Sequence, residues 1–384
     1  MTSPDSATAD QTGTLGRAAS NAKGARPPGI ILGIVGMAVV AWVAINLFLA
    51  LAFYPGWFFN SKPLIAMIGV AAGLGAAYVL FYFLNMFVNS LPRRLSQGLI
   101  PYAFVLPGLG FIALMLIYPT VQTVNYSFAN ADSTRYVGLQ NYSAVFSDRD
   151  FWVSLTNNAL WLLVVPAVTV GLGVMVAVLA DKLSATGEKV AKSFIFLPMA
   201  ISFVGASAIW NLVYEWRPDD AAQTGLLNAI WTGLGGEPQP WLNIDTARLN
   251  SFLLMVILIW LQAGFAMILL SGAIKAVPED TLEAARIDGA NERAIFFRIV
   301  LPQIKGTVIT VFVTVLILVL KVFDIVYVTT NGRDDTNVIA NLFFNILFFG
   351  QDAGRASAIV VVLLILILPV LIYQVRAFRE EQAA

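Results

Sequence analysis

The chain is 384 residues long, 58% hydrophobic and only 12% charged, with a formal net charge of zero and neither cysteine nor histidine. A mean hydropathy of +0.78 and a charge content about half that of a soluble domain describe a polytopic, all-α membrane protein. Without Cys or His there is no disulfide framework, no His/Cys metal site and no Cys–His or Ser–His catalytic pair, and scattered, balanced charge gives no case for a nucleic-acid partner.

Residues 1–28 are rich in Ala, Ser, Thr and Gly and too polar to bury a core, so they are expected to form a disordered tail. The apolar run 30–53 is longer than the roughly 7–15 residues of a signal-peptide core and is expected to remain as a first span. A second span follows at 63–87, ending before Arg93 and Arg94. The third, 99–120, is expected to break at Pro107-Gly108, and a polar loop runs from 121 to 150. Spans at 152–180 and 193–214 come next. The loop 215–248 holds Trp216, Trp231, Trp241 and a Pro/Gly cluster, which predicts an ordered cap. Spans at 252–274, 308–330 and 356–375 complete a set of about eight, with the polar segment 276–305 between the sixth and seventh. Basic residues concentrate in the loops on the side of the termini, among them Lys182, Lys189, Lys192, Lys275, Arg286, Arg293 and Arg298. The positive-inside rule therefore puts both termini and the 276–305 segment in the cytoplasm.

That segment is punctuated for two short helices. Pro278 suits a first helical position, Glu279 and Asp280 place negative charge on a first turn, and Gly289 offers a left-handed cap. Asn291 then caps a second helix, with Ile295, Phe296 and Ile299 on one side and Glu292, Arg293 and Arg298 on the other, expected to stop at Pro302.

Glu283-Ala284-Ala285, Asp288-Gly289 and Leu301-Pro302 at this spacing resemble the EAA loop of ABC-importer membrane subunits, which docks on a cytoplasmic ATPase. Tyr126-Ser127-Phe128, Gly138-Leu139-Gln140-Asn141-Tyr142, Phe196-Leu197-Pro198, Gly225-Leu226-Leu227-Asn228 and Phe323-Asp324-Ile325-Val326-Tyr327 resemble the carbohydrate-uptake group of these permeases, the maltose, α-glucoside and glycerol-phosphate type. Where Gly-Gly-Pro commonly follows, this chain has Gly332-Arg333-Asp334. The resemblance implies a type I importer core of six spans at 99–384, preceded by a two-span extension at 29–98. It also implies a multi-pass protein of the bacterial inner membrane that carries sugar by alternating access. Its partners would be a second permease in a heterodimer, two copies of the ATPase, an extracytoplasmic sugar-binding protein and membrane lipid. This chain would bind no cofactor, and ATP and Mg would be used by the ATPase; no GxxxxGK[ST] phosphate loop occurs here.

A polar solute crossing hydrocarbon needs hydrogen-bonding side chains and aromatic faces. Lys321 and Asp324, three apart on the seventh expected span, would share a face and pair, either on the path or as a structural ion pair; Tyr327 follows on the same span. Trp260 and Gln262 offer an aromatic face and an amide. Asn157 and Asn158 are candidates for substrate contact or for bonding between helices, and Asn341 and Asn345 fit the polar face of a short surface helix. Alternatives within the same composition are a permease for a glycerophosphodiester or polyol, and a secondary transporter with Asp324 as its coupling carboxylate.

Overall fold

The protein is described by a computed structural model covering residues 26–218 and 222–383; most of the expected tail, 1–25, lies outside the described residues. Regular structure among these residues is helical, apart from one isolated antiparallel bridge between Ala129 and Tyr136. The chain divides into two compact units, Met1–Thr120 and Val121–Ala384.

In the first unit, α1 (Pro27–Phe53) and α2 (Lys62–Ser90) each begin with proline in the first turn, where a missing N–H costs nothing. A short turn at Pro55–Phe58 and left-handed Phe59 and Asn60 reverse the chain between them. The two helices meet through small residues: a Cβ on Gly36 would lie 2.2 Å from the Phe83 ring and one on Gly33 2.7 Å from the Phe87 Cβ. Helix α3 (Arg93–Ile112) contains Pro101 and Pro107 and does not break, contrary to the expectation at Pro107-Gly108. In hydrocarbon every backbone group lost from the helix has no water to replace it, so the helix absorbs the prolines instead of ending there. It continues through a π-helical turn, Ala113–Ile117, into α4 (Tyr118–Tyr126).

The second unit is built on α10 (Leu249–Lys275), whose most apolar stretch is 61% buried, against 28% for α6 (Arg149–Ala180) beside it. Leu254, Met255 and Leu258 of α10 pack with Trp161 of α6, Val315 of α13 (Lys305–Leu320) and Ile325 of α14 (Asp324–Thr329) in one core. Gly173 lets α6 approach α10 closely, since a Cβ there would lie 2.6 Å from that of Ala266. Between α6 and α10 come α7 (Ala185–Phe196), α8 (Phe203–Val213) and α9 (Leu226–Gly233); α5 (Gln140–Ser147) precedes α6. After α10 follow α11 (Glu279–Ile287) and α12 (Glu292–Gln303), and after α14 follow α15 (Ile339–Phe348) and α16 (Ala353–Ala383).

Two expected spans are broken. The run 193–214 is not one helix: α7 and the turn Leu197–Ala200 meet α8 at 105°. Pro198 tightens the turn, and Ser202, in extended geometry, starts α8 by accepting from the Gly205 amide at 3.1 Å. The run 308–330 ends its first helix at Leu320 and restarts at Asp324. Five described helices are long and apolar enough to cross a membrane, or seven if α7 with α8, and α12 with α13 bent from it by 69°, each count as one span, against the eight expected; the eighth lies on α16.

Candidate functional site

The breaks surround a hollow. A cavity of ≈540 Å³ opens where Ser202 and Phe203 of the first break face Gln262 and Phe265 of α10, Thr314 of α13 and Asp324 at the start of α14. A neighbouring hollow of ≈250 Å³ shares Phe203 and Asp324 and adds Lys321. Most of the wall is apolar, and its polar groups differ in availability. Ser202 accepts from Gly205, and the Thr314 hydroxyl donates to the Thr310 carbonyl at 2.8 Å. Gln262, only 5% exposed, and the Asp324 carboxylate make no side-chain hydrogen bond or ion pair with any described residue. Two unpartnered hydrogen-bonding groups in an apolar wall are the composition of a pocket for a polar small molecule.

The expected Lys321–Asp324 pair is absent. Because α13 stops at Leu320 and Phe323 adopts a non-helical conformation, the two residues no longer share a helix face, and they form no ion pair. Trp260, another path candidate, does not line the cavity; it packs edge-on to Trp210 at 5.7 Å against the core. Tyr327 stacks on Phe323 and meets Phe344 edge-on. Asn157 and Asn158 bond between elements. Asn157 donates to the carbonyls of Asp335 and Asn337 at 2.6 and 2.8 Å and accepts from Arg248 at 2.5 Å, while Asn158 accepts from the Ile339 amide. Asn341 is fully buried and donates to Asn337, so α15 is no surface helix there.

The 330–338 turn held by these asparagines has left-handed backbone at Asn331, Gly332, Asp334 and Asp335. Arg149 grips Asp335 with both guanidinium nitrogens at 2.9 and 2.6 Å, and Asn250 donates to the Asp334 carbonyl at 2.6 Å. The Arg149 hydrogen bond holds the Asp335 carboxyl below the usual aspartate range. The described part of the 215–248 loop, without 219–221, is organised around buried Asn228, which bonds the carbonyls of Glu215 and Gln239, the Gln239 amide and the Trp241 indole. Bonds from Thr224 and then Arg217 hold Glu215 below the usual glutamate range.

The 276–305 segment has the two expected helices, with Gly289 at φ +80° between them and Asn291 capping the second through the Ala294 amide. Helix α12 passes Pro302 through a π-helical turn, Phe296–Val300, and ends at Gln303. Ala285, Ile295, Val300 and Ile304 form a small core, with Leu301 partly buried against it, that includes Ala273 and Ile274 of α10. Arg286 pairs with Glu292 at 3.1 Å across the turn. The opposite surface carries exposed Glu283, Ala284, Asp288 and Gly289, with Ile287 85% and Phe297 64% exposed. Exposed apolar side chains of this size beside charged ones mark a contact surface.

One cluster was not anticipated. Glu188 of α7 binds Lys192 one turn on and Lys275 of α10 at 2.6 Å; Lys275 also reaches Asp181 at 3.1 Å, and Lys192 donates to Ser271 of α10. In the sequence these residues stand in three separate segments, and only the glutamate and lysine four apart hinted at a pairing.

The family model for "Binding-protein-dependent transport system inner membrane component" matches residues 169–379. The α-glucoside transport system permease protein AglF of Rhizobium meliloti is 49% identical over 295 residues, 77% of this chain and 87% of the relative. The osmoprotective compounds uptake permease protein GgtC of Synechocystis sp. is 50% identical over 279 residues, 73% of this chain and 99% of its own. The trehalose/maltose transport system permease protein MalF of Thermococcus litoralis is 31% identical over 304 residues, with 76% and 99% covered. In fold, a chain of a bacterial ABC transporter involved in the import of the acidic polysaccharide alginate superposes with a TM-score of 0.65 at 20% identity, over 75% of this chain and 99% of that one. With more than half of its length matched by the family model and relatives near 50% identity, the chain belongs to the binding-protein-dependent transport system inner membrane components.

Proposed function

We propose that this chain is one of two permease subunits of an ABC importer for a carbohydrate: maltose, an α-glucoside or a related oligosaccharide. The observation that carries the substrate class is the cavity at the two helix breaks. Its unpartnered Gln262 amide and Asp324 carboxylate suit hydroxyl groups, and Phe203 and Phe265 suit the apolar faces of a sugar ring. The similar α-glucoside and trehalose/maltose permeases support that class. Lys321 lies on the same path, whereas Tyr327 and Trp260 pack among aromatic side chains and Asn157 and Asn158 hold the 330–338 turn, outside the lining of either hollow.

The surface formed by Glu283, Ala284, Asp288 and Gly289, with Ile287 and Phe297, docks on a cytoplasmic ATPase; Ala285, Leu301 and Pro302 hold its shape. With that surface facing the cytoplasm, the excess of Lys and Arg on the same side supports cytoplasmic termini, and the 215–248 loop would then face a sugar-binding protein. ATP and Mg are used on the ATPase, not here.

The test is co-purification from membranes in mild detergent. An ATPase and a second permease should accompany the wild-type chain, and Gly289→Pro, which cannot adopt φ +80°, should lose the ATPase while still inserting. A chain that purifies alone under several mild conditions would sink this function.

A further inference from the structure

We propose that Glu188 is a positioning residue for transport, tying the 276–305 loop to the cavity wall so that movement of one is delivered to the other; this rests on the importer function above. The loop's small core already incorporates the last turns of α10 through Ala273 and Ile274. Lys275 stands in the next position and bridges to Glu188 on α7. Glu188 and Lys192 are mostly covered, with side chains 16% and 19% exposed, so their charges are held by each other, Lys275 and Ser271 instead of by water. Among the described residues these are the polar contacts that join α7 to α10.

From Glu188, α7 then runs about 12 Å to its end at Phe196, just before the turn that carries Ser202 and Phe203 into the cavity. At that far end α7 meets α10 a second time. A Cβ on Gly264 would lie 2.4 Å from the Ile195 carbonyl and 2.6 Å from the Phe196 Cα, so the two backbones are in direct contact. An element attached at both ends, by charge near the loop and by backbone contact near the cavity, transmits displacement as a rigid body. Releasing the Glu188–Lys275 pair leaves α7 attached through Lys192–Ser271 and the contact near the cavity, but no longer to the residue that adjoins the loop, so the loop moves with less movement of the break.

The experiment uses the assembled transporter in lipid vesicles and compares ATP hydrolysis with sugar imported per ATP. Glu188→Gln and Lys275→Met should keep the ATPase bound and hydrolysis running, while sugar imported per ATP falls roughly five- to tenfold. Lys275→Met leaves Glu188 paired with Lys192, so it cuts the ion pair between α7 and the loop end of α10 without stranding the Glu188 carboxylate, and only the Lys192–Ser271 contact remains between the two helices at that end. Glu188→Asp, which keeps the charge, should restore most of the ratio, a recovery that a packing role alone does not give. Wild-type coupling in Lys275→Met, or equal loss in Glu188→Asp and Glu188→Gln, would overturn the assignment. Absence of an ATPase from the wild-type preparation would instead defeat the functional reading itself.

Discussion

At the scale of single residues, function divides by whether a polar side chain already has a partner. Asn157, Asn158 and Asn228 spend their amides inside the protein, whereas Gln262 and Asp324 do not. We expect Gln262→Ala and Asp324→Asn each to raise the half-saturation concentration for import by roughly tenfold, about the worth of one buried hydrogen bond to a ligand. Uptake assays with unchanged half-saturation in both would remove these residues from the path. Gln262 was legible in the sequence as an amide in an apolar run, and Asp324 as a carboxylate near one. Trp260 was not separable from them, because an aromatic side chain suits a sugar and a helix interface equally well. The Lys321–Asp324 pairing failed because it assumed a continuous helix where the backbone leaves one.

At the scale of elements, the sequence announces helices in the polar segments better than it announces breaks in the apolar ones. The 276–305 segment carries capping residues, a left-handed glycine and amphipathic spacing, and both helices follow from them. Inside a membrane run every face is apolar, so periodicity is silent, and prolines give mixed signals: Pro107 is absorbed and Pro198 marks a break. The glycines that matter are likewise distinguished only by what faces them. Gly264→Val should cost about 1–3 kcal/mol through overpacking against the α7 backbone. Gly171→Ala, which meets nothing within 4 Å, should be neutral or slightly stabilising. Thermal melts of the purified protein decide it, and equal melting temperatures for the two variants would refute the close-contact account.

At the scale of the whole molecule, the relatives align over 73% to 77% of this chain and 87% to 99% of their own length, so about a quarter of this chain has no aligned counterpart in them. The expected two-span extension, with the tail before it, has that size. Deleting residues 1–90 should therefore leave a chain that inserts, assembles with an ATPase and imports sugar; loss of assembly on deletion would show that the extension is integral. Composition and loop resemblance made the class of the protein legible, since lipid solvent leaves few architectures. The cavity's location was not, because it arises where two helices stop in mid-run, at Ser202 and at Lys321–Phe323. Those interruptions have an electrical consequence. Backbone groups freed at membrane depth are tolerated only where they are buried in protein or line a water-filled cavity, so a hollow at the breaks that opens to the sugar path fills with water. The insulating layer is correspondingly thin beside it. Whatever seal the closed state has against protons and sodium ions must therefore be concentrated in the few residues at the hollow's floor, and leak conductance, more than sugar flux, will report damage to them.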